Sequence, residues 1–321
     1  MSDNILELEG VKKYFPVRAR RLFAPSGHLR AVDGVSLCVE KNSTFGLVGE
    51  SGCGKSTLSR TIMRLEPLTA GSVRVCGMDI RQARGKDLKA LYRNVQMVFQ
   101  NPFYSLNPRM TVARLIAEPM VIHGVGDRVY REKRVLELLD RVKLSASSAN
   151  RYPHEFSGGQ RQRIGIARAL ALEPKIILCD EPVSALDVSI QAQILNLLKE
   201  LRRDLKLTYL FISHNLSVVK YMSQRIAVMY LGTIVEIADA EELYARPQHP
   251  YTQMLLSAIP DLHKTVERRI VPVGDAGQSF DRWEGCPFAN RCPQAAESCR
   301  AERPCLRSCG GTHMVACHRC G

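Results

Sequence analysis

The chain has 321 residues, 45% apolar and 24% charged, enough for a folded domain of ordinary composition with room for a second, smaller one. No stretch approaches the ~20 apolar residues that span a bilayer, and the opening MSDNILELEG has acidic residues where a secretion signal would have a basic start, so neither a membrane span nor secretion is expected. Net charge is +13, yet nucleic-acid motifs are missing and only 6% of residues are aromatic, so a partner of that kind is not expected.

In chain order the first clear element is the apolar run Phe45–Val48, read as a buried parallel strand. It runs into a glycine-rich loop, Gly49 to Thr57. Leu58, Ile62 and Leu65 then recur at helical spacing. Residues 101–170 are helix-rich by pattern. Lys175–Asp180 reads as another apolar strand, followed by a helix through Ile190, Ile194, Leu197, Leu198 and Leu201. Thr208–Ser213 is a third strand, and Arg225–Glu236 reads as a hairpin turning near Leu231-Gly232. Strands alternating with helices predict an α/β fold: a mostly parallel sheet carrying a helical insert.

The loop Gly49-Glu50-Ser51-Gly52-Cys53-Gly54-Lys55-Ser56 fits G-x-x-x-x-G-K-[ST], with the strand before and the helix after that this motif requires. Its glycines let backbone N–H groups turn toward a phosphate chain at a helix N-terminus. Lys55 is placed to reach the β- and γ-phosphates, Ser56 to bind Mg²⁺, and Thr57 to add a phosphate contact. Cys53 occupies a variable position and reads as a small packing residue. The second piece is Ile176-Ile177-Leu178-Cys179-Asp180-Glu181, a strand delivering two carboxylates at its end. In such a site Asp180 holds Mg²⁺ through water and Glu181 polarises an attacking water as general base.

Phe156-Ser157-Gly158-Gly159-Gln160-Arg161-Gln162-Arg163 resembles the signature motif of the ATP-binding-cassette (ABC) ATPases, with Phe156 where that family usually has Leu. The resemblance continues in order: Gln100 matches the glutamine loop, Ser184-Ala185-Leu186-Asp187 the D-loop, and His214 the switch histidine. Of Tyr14 and Phe15, register favours Phe15 as the aromatic that stacks on adenine. The resemblance implies a P-loop NTPase (RecA-like) core with an antiparallel β-subdomain. It also implies that two ATPs are held between two cassettes. Lys55 and the rest of the loop would grip ATP on one subunit, and Ser157, Gly158, Gly159, Gln160 and Asp187 would close over it from the other. Glu181, His214 and Gln100 would serve hydrolysis, Gln100 also at Mg²⁺ and as the link to whatever binds the helical insert.

A narrower resemblance covers nearly the whole chain. Lys12–Val17 followed by the basic stretch Arg18-Ala19-Arg20-Arg21, Asn101–Pro108, Arg151–His154, Asp180–Ile190 and His249-Pro250-Tyr251-Thr252 look like ATPases of dipeptide and oligopeptide importers. This implies an ATP-hydrolysing subunit that works with a second, homologous ATPase, two membrane permeases and an extracytoplasmic solute-binding protein, at the cytoplasmic face of the inner membrane. The same machinery carrying nickel, glutathione or another small solute is the alternative, with a non-transport ABC protein acting on DNA or ribosomes behind it. The resulting division is a nucleotide-binding domain over 1–246, with a signature subdomain at about 101–170, and an extension over 247–321. Residues 16–30, with four Arg and no acid, read either as a solvated basic loop or as a membrane-proximal segment.

Seven of the eleven cysteines follow residue 285. Cytosolic ATP disfavours structural disulfides, and a short tail of low apolar content calls for a metal. Cys317-His318-Arg319-Cys320 has ordinary zinc spacing, with Cys305 and Cys309 as its partner pair. Iron–sulfur ligation tolerates wider spacing. The resemblance to peptide-importer ATPases implies a 4Fe–4S cluster on Cys286, Cys292, Cys299 and Cys317, with Zn²⁺ as the alternative.

Overall fold

The computed structural model describes residues 3–17, 27–100, 105–258 and 284–320. Most of the basic insertion (18–26), Asn101-Pro102-Phe103-Tyr104 and a central part of the extension (259–283) lie outside the described residues. In chain order the elements are β1 (Asn4–Val17), β2 (Gly27–Glu40), β3 (Thr44–Val48), α1 (Lys55–Ile62), β4 (Ala70–Val75), β5 (Met78–Asp79), α2 (Gly85–Asn94) and β6 (Val95–Val98). There follow α3 (Val112–His123), α4 (Arg128–Arg141), two short 3-10 turns, α5 (Gly158–Leu170), β7 (Ile176–Asp180), α6 (Val188–Leu205), β8 (Thr208–Ser213) and α7 (Leu216–Met222). The last are β9 (Arg225–Tyr230), β10 (Thr233–Asp239), α8 (Ala240–Ala245), α9 (Pro250–Ser257), α10 (Glu297–Ala301), β11 (Arg307–Ser308) and β12 (Met314–Val315).

The chain divides into two compact units, the first made of Met1–Glu7, Cys38–Thr44 and Arg74–Ile212. Its strands β6, β7 and β8 pair in parallel, with Val98 beside Cys179 and Cys179 beside Phe211. Every residue of β7 is buried, which explains an apolar run without polar alternation. In the helical insert α3 packs on α4 and α5. Leu115, Ile116 and Met120 meet there with Val135, Leu138, Leu139 and Ile164, all nearly free of solvent. Each such side chain contributes about 1.5–3 kcal/mol. Asp127 starts α4 by accepting a hydrogen bond from the Tyr130 N–H at 2.8 Å.

The second unit comprises Leu8–Leu37, Phe45–Val73 and Ser213–Gly321. Here β3 lies parallel to β9, Gly46 beside Ile226. The predicted hairpin is present: β9 and β10 run antiparallel through a turn at Leu231-Gly232. The cysteine-rich segment then continues this sheet, since β12 pairs with β10, Glu236 opposite Val315, and β11 pairs with β12. Pairing along β10 satisfies backbone groups that an open strand edge would expose. The segment is also anchored by aromatic contacts, Phe288 lying 5.3 Å from Tyr230 and 5.4 Å from Tyr251 between ring centroids. Glu236, fully buried, accepts from the N–H groups of Gln248 at 2.8 Å and His249 at 3.0 Å and pairs with His313 Nε2 at 2.7 Å.

Two sequence expectations shift. Leu65 is outside α1 and 56% exposed, because the helix ends at Ile62 and Arg64 takes a left-handed φ of 56°. Residues 27–30 of the stretch read as a basic loop or membrane-proximal segment belong to a strand, since β2 begins at Gly27. Among the described residues no helix is long and apolar enough to cross a membrane.

Candidate functional site

The loop after β3 lies wholly in the second unit. Gly54 has φ 107°, a region L side chains rarely enter, and a Cβ there would sit 2.0 Å from the Ala31 carbonyl oxygen. Glycine is therefore required twice over at the residue before α1. A Cβ on Gly49 would likewise stand 2.2 Å from the Met229 carbonyl oxygen. Lys55 is buried, and its Nζ donates to the carbonyls of Gly49 and Glu50, both at 2.8 Å. The ammonium thus folds back over the loop and closes it into a ring. Ser56 and Thr57 open α1 behind it, while Ser51 and Gly52 are exposed at its rim. Cys53 is buried against Lys55, and burial pushes its thiol pKa up.

Other predicted site residues share this unit. Phe15 is half-buried on β1, with Lys13 Nζ 4.5 Å from its ring centroid. His214 is exposed just after β8, next to Asn215, whose side chain caps α7 by accepting from the Val218 N–H at 3.3 Å. Tyr14 donates its hydroxyl to Asp33, which also receives Arg303 at 2.7 Å.

The first unit gathers the carboxylates and the signature segment. Asp180 and Glu181, at the end of β7, are both buried. Glu181 has φ 46°, a strained value for a residue with a side chain, and its N–H donates to the Ile212 carbonyl at 2.9 Å. Nothing in the sequence announces that turn. Its carboxylate accepts from Gln100 Nε2 at 2.9 Å, so two residues 81 positions apart are brought together. Ser157 caps α5 in a reciprocal box: its Oγ accepts from the Gln160 N–H at 3.3 Å, and Gln160 Oε1 accepts from the Ser157 N–H at 3.0 Å. Gly158 and Gly159 follow as the first residues of the helix. A Cβ on Gly159 would lie 2.4 Å from Ile190 Cγ2, so this glycine permits close packing on α6. Asp187 stands exposed at the N-cap of α6.

The tail contains a second candidate site. Cys286, Cys292, Cys299 and Cys317 line one pocket, together with His249, Phe288 and His318. None of the four is in a disulfide. Burial raises the Cys286 thiol pKa to about 11 and also pushes Cys292 up. His249 is buried, which drives its imidazole pKa down to about 4, and its Nδ1 accepts from the Tyr251 N–H at 3.0 Å. Cys305 and Cys309, the zinc partners considered for Cys317 and Cys320, are exposed and do not line this pocket. Among the described residues no three ligand side chains are arranged to hold a metal ion. Four thiols nonetheless line one cavity, the donor type that an iron–sulfur cluster or a zinc ion would take. The histidine lining was not foreseen, although His249 and His318 flank proline and cysteine positions already singled out.

Comparison with known proteins bears on both regions. Residues 32–184 match the family described as ABC transporter, and residues 235–299 match the oligopeptide/dipeptide transporter C-terminal region. The chain is 52% identical over 320 residues to the oligopeptide transport ATP-binding protein AppF of Bacillus subtilis, covering 98% of this chain and 97% of that one. Among solved structures, the ATP-binding cassette MJ0796 in a dimeric post-hydrolysis state bound to ADP and Pi is similar with a TM-score of 0.64 and 29% identity, over 73% of this chain and 98% of that one. The cbiO1 protein of Clostridium perfringens, part of the cbiONQ ABC transporter complex, shares the fold with a TM-score of 0.65 at 23% identity, over 76% of this chain and 92% of that one. With the loop of Lys55, the Asp180-Glu181 strand end and the capped signature helix in place, this chain belongs to the ABC transporter family of ATPases, in its oligopeptide and dipeptide import branch.

Proposed function

We propose that the chain hydrolyses ATP to drive uptake of di- or oligopeptides across the cytoplasmic membrane, as a peripheral subunit at its cytoplasmic face. The observation that carries this reading is similarity to an oligopeptide transport protein along 98% of the chain, extension included. The membrane path then belongs to two permease chains and cargo selection to an extracytoplasmic solute-binding protein. A second, homologous ATPase faces this one across two nucleotides, an arrangement supported by the dimeric cassette bound to ADP and Pi. The domain division at residue 246 goes with this reading, the extension being the branch-specific part.

The loop glycines and Lys55 wrap the β- and γ-phosphates, with Ser56 and Thr57 at the helix N-terminus adding contacts. Phe15 stacks on the adenine. Ser56, Gln100 and, through water, Asp180 would hold Mg²⁺, which would offset phosphate charge. Glu181 takes the proton of the attacking water, Gln100 orienting its carboxylate, and His214 bridges the water and γ-phosphate. Ser157, Gly158, Gly159, Gln160 and Asp187 act on the nucleotide held by the facing subunit. The helix N-terminus capped by Ser157 offers free N–H groups to a phosphate there.

Cys286, Cys292, Cys299 and Cys317 would hold a 4Fe–4S cluster, supported by their shared pocket. Bound iron would stabilise thiolates that burial otherwise disfavours. Anaerobic purification should yield brown protein with about four irons per chain, lost in Cys292→Ser. Colourless protein containing zinc and no iron would reject the cluster.

Uptake tests the transport reading. Cells lacking this chain should fail to accumulate labelled di- and oligopeptides and recover when it is restored. Unchanged peptide uptake with lost nickel or glutathione uptake would transfer the cargo to those solutes. Co-purification with nucleic acid and no membrane protein would overturn transport altogether.

A further inference from the structure

The turn that carries the pocket cysteines also grips the phosphate loop. Arg291, one residue before Cys292, points back to Glu50, the second residue of the loop, 241 positions earlier. Its two terminal nitrogens bind the carboxylate bidentately, Nη1 to Oε2 at 2.9 Å and Nη2 to Oε1 at 3.1 Å. The Arg291 side chain is 9% exposed and that of Glu50 34%, so the guanidinium is shielded while the carboxylate still meets solvent. The backbone of the same residue is held too, the Glu50 N–H donating to Tyr251 Oη at 3.0 Å. The Glu50 carbonyl in turn accepts from Lys55 Nζ at 2.8 Å. Arg291 and Lys55 therefore pull on one residue, the first through its carboxylate and the second through its carbonyl. The turn supporting Arg291 is closed by its own N–H donating to the Phe288 carbonyl at 3.0 Å, and Phe288 in that turn and Cys286 just before it line the pocket.

We propose that Arg291 is a positioning residue for ATP binding: by clamping Glu50 it sets the shape of the phosphate loop and the place of Lys55, and it couples that loop to the cysteine-lined pocket. This rests on the reading of the loop as the ATP site. A side chain outside every nucleotide motif thus controls nucleotide affinity through a loop position at which the motif itself allows any residue. Ground-state binding of the nucleotide depends on the clamp.

The test is titration of the full chain with a fluorescent ATP analogue and Mg²⁺, well below the melting temperature. Arg291→Gln and Glu50→Gln should each weaken binding about three- to tenfold, as expected for removal of a charged bidentate pair acting through one intermediary. The double variant should be no weaker than the poorer single variant, because both changes break the same link. Arg291→Lys, which keeps the charge and perturbs the fold least, should recover part of the loss. Wild-type affinity in Arg291→Gln, or losses that multiply in the double variant, would overturn the clamp. Lys55→Ala separates the two readings. If it abolishes binding while Arg291→Gln binds normally, only the clamp fails; if Lys55→Ala itself binds normally, the loop is not the ATP site.

Discussion

Gln100 Nε2 donates to Glu181 Oε2 at 2.9 Å, joining the second residue after β6 to the carboxylate just past β7. The parallel pairing of these two strands, with Val98 beside Cys179, brings their C-terminal ends level and makes this contact possible. A carboxylate so held has one oxygen directed by the amide, which suits the general-base role proposed for it.

Replacing Glu181 by Gln removes the proposed base and preserves size. Turnover should fall by about two to four orders of magnitude while ATP affinity stays within about twofold. Gln100→Ala, which leaves the base but frees its carboxylate, should lower kcat by only about three- to tenfold. Steady-state ATPase assays beside nucleotide titrations separate the two. Near-normal turnover in Glu181→Gln would assign the base elsewhere.

Lys55→Ala removes an ammonium that bridges the carbonyls of Gly49 and Glu50. The loop loses both its internal tie and its phosphate ligand. Nucleotide binding should drop at least about a hundredfold, since a charge-assisted contact and the loop's preorganisation disappear together. Calorimetric titration with ATP and Mg²⁺ reads this directly.

Gly159→Ala should destabilise the chain by about 1–3 kcal/mol, because the added methyl would stand 2.4 Å from Ile190 Cγ2 and α5 and α6 must separate. Adding Ile190→Ala removes the obstructing methyl and should recover part of the loss. Thermal melts of the single and double variants measure this. A glycine kept there for its backbone freedom alone would show no rescue.

Asp33 sits in a nearly closed environment that opposes its ionisation, but hydrogen bonds from Tyr14 and Arg303 and the charge of Arg30 prevail and hold its pKa below the ordinary carboxylate value. A depressed folded-state pKa stabilises the fold above the unfolded value, near pH 4, and that contribution fades as pH falls through the folded value. Asp33→Asn should therefore cost about 1–2 kcal/mol at pH 7 and progressively less below pH 4. Denaturant melts of both proteins at pH 7 and pH 3 give the comparison, and an unchanged gap would remove the ion pair from the account.

The parts legible in the sequence are those in which chemistry and geometry sit within one short segment. G-x-x-x-x-G-K-S needs its glycines because Gly54 takes φ 107° against the Ala31 carbonyl, and the strand and helix around it are marked by apolar runs. Ser157 and Gln160 make their capping box across three residues, within reach of any reading of spacing. Leu65 marks the limit of periodicity. Its spacing continues a helix that Arg64 ends, and a backbone turning to φ 56° leaves no trace in the pattern of apolar residues. The strained φ of Glu181 was equally silent, because its cost is carried by a hydrogen bond to Ile212, 31 positions later.

The sequence by itself carried the resemblance to ABC ATPases and their peptide-import branch, since phosphate loop, paired carboxylates and signature each depend on residue types at short, fixed spacing. Only the tertiary structure decided what those segments hold in place. That Arg291 closes on Glu50, that Gln100 orients Glu181, and that four distant cysteines share one pocket follow from strand register and turn geometry. Such pairings join residues tens to hundreds of positions apart, and their energy appears only after the intervening chain has been ordered by burial of its apolar strands and helices.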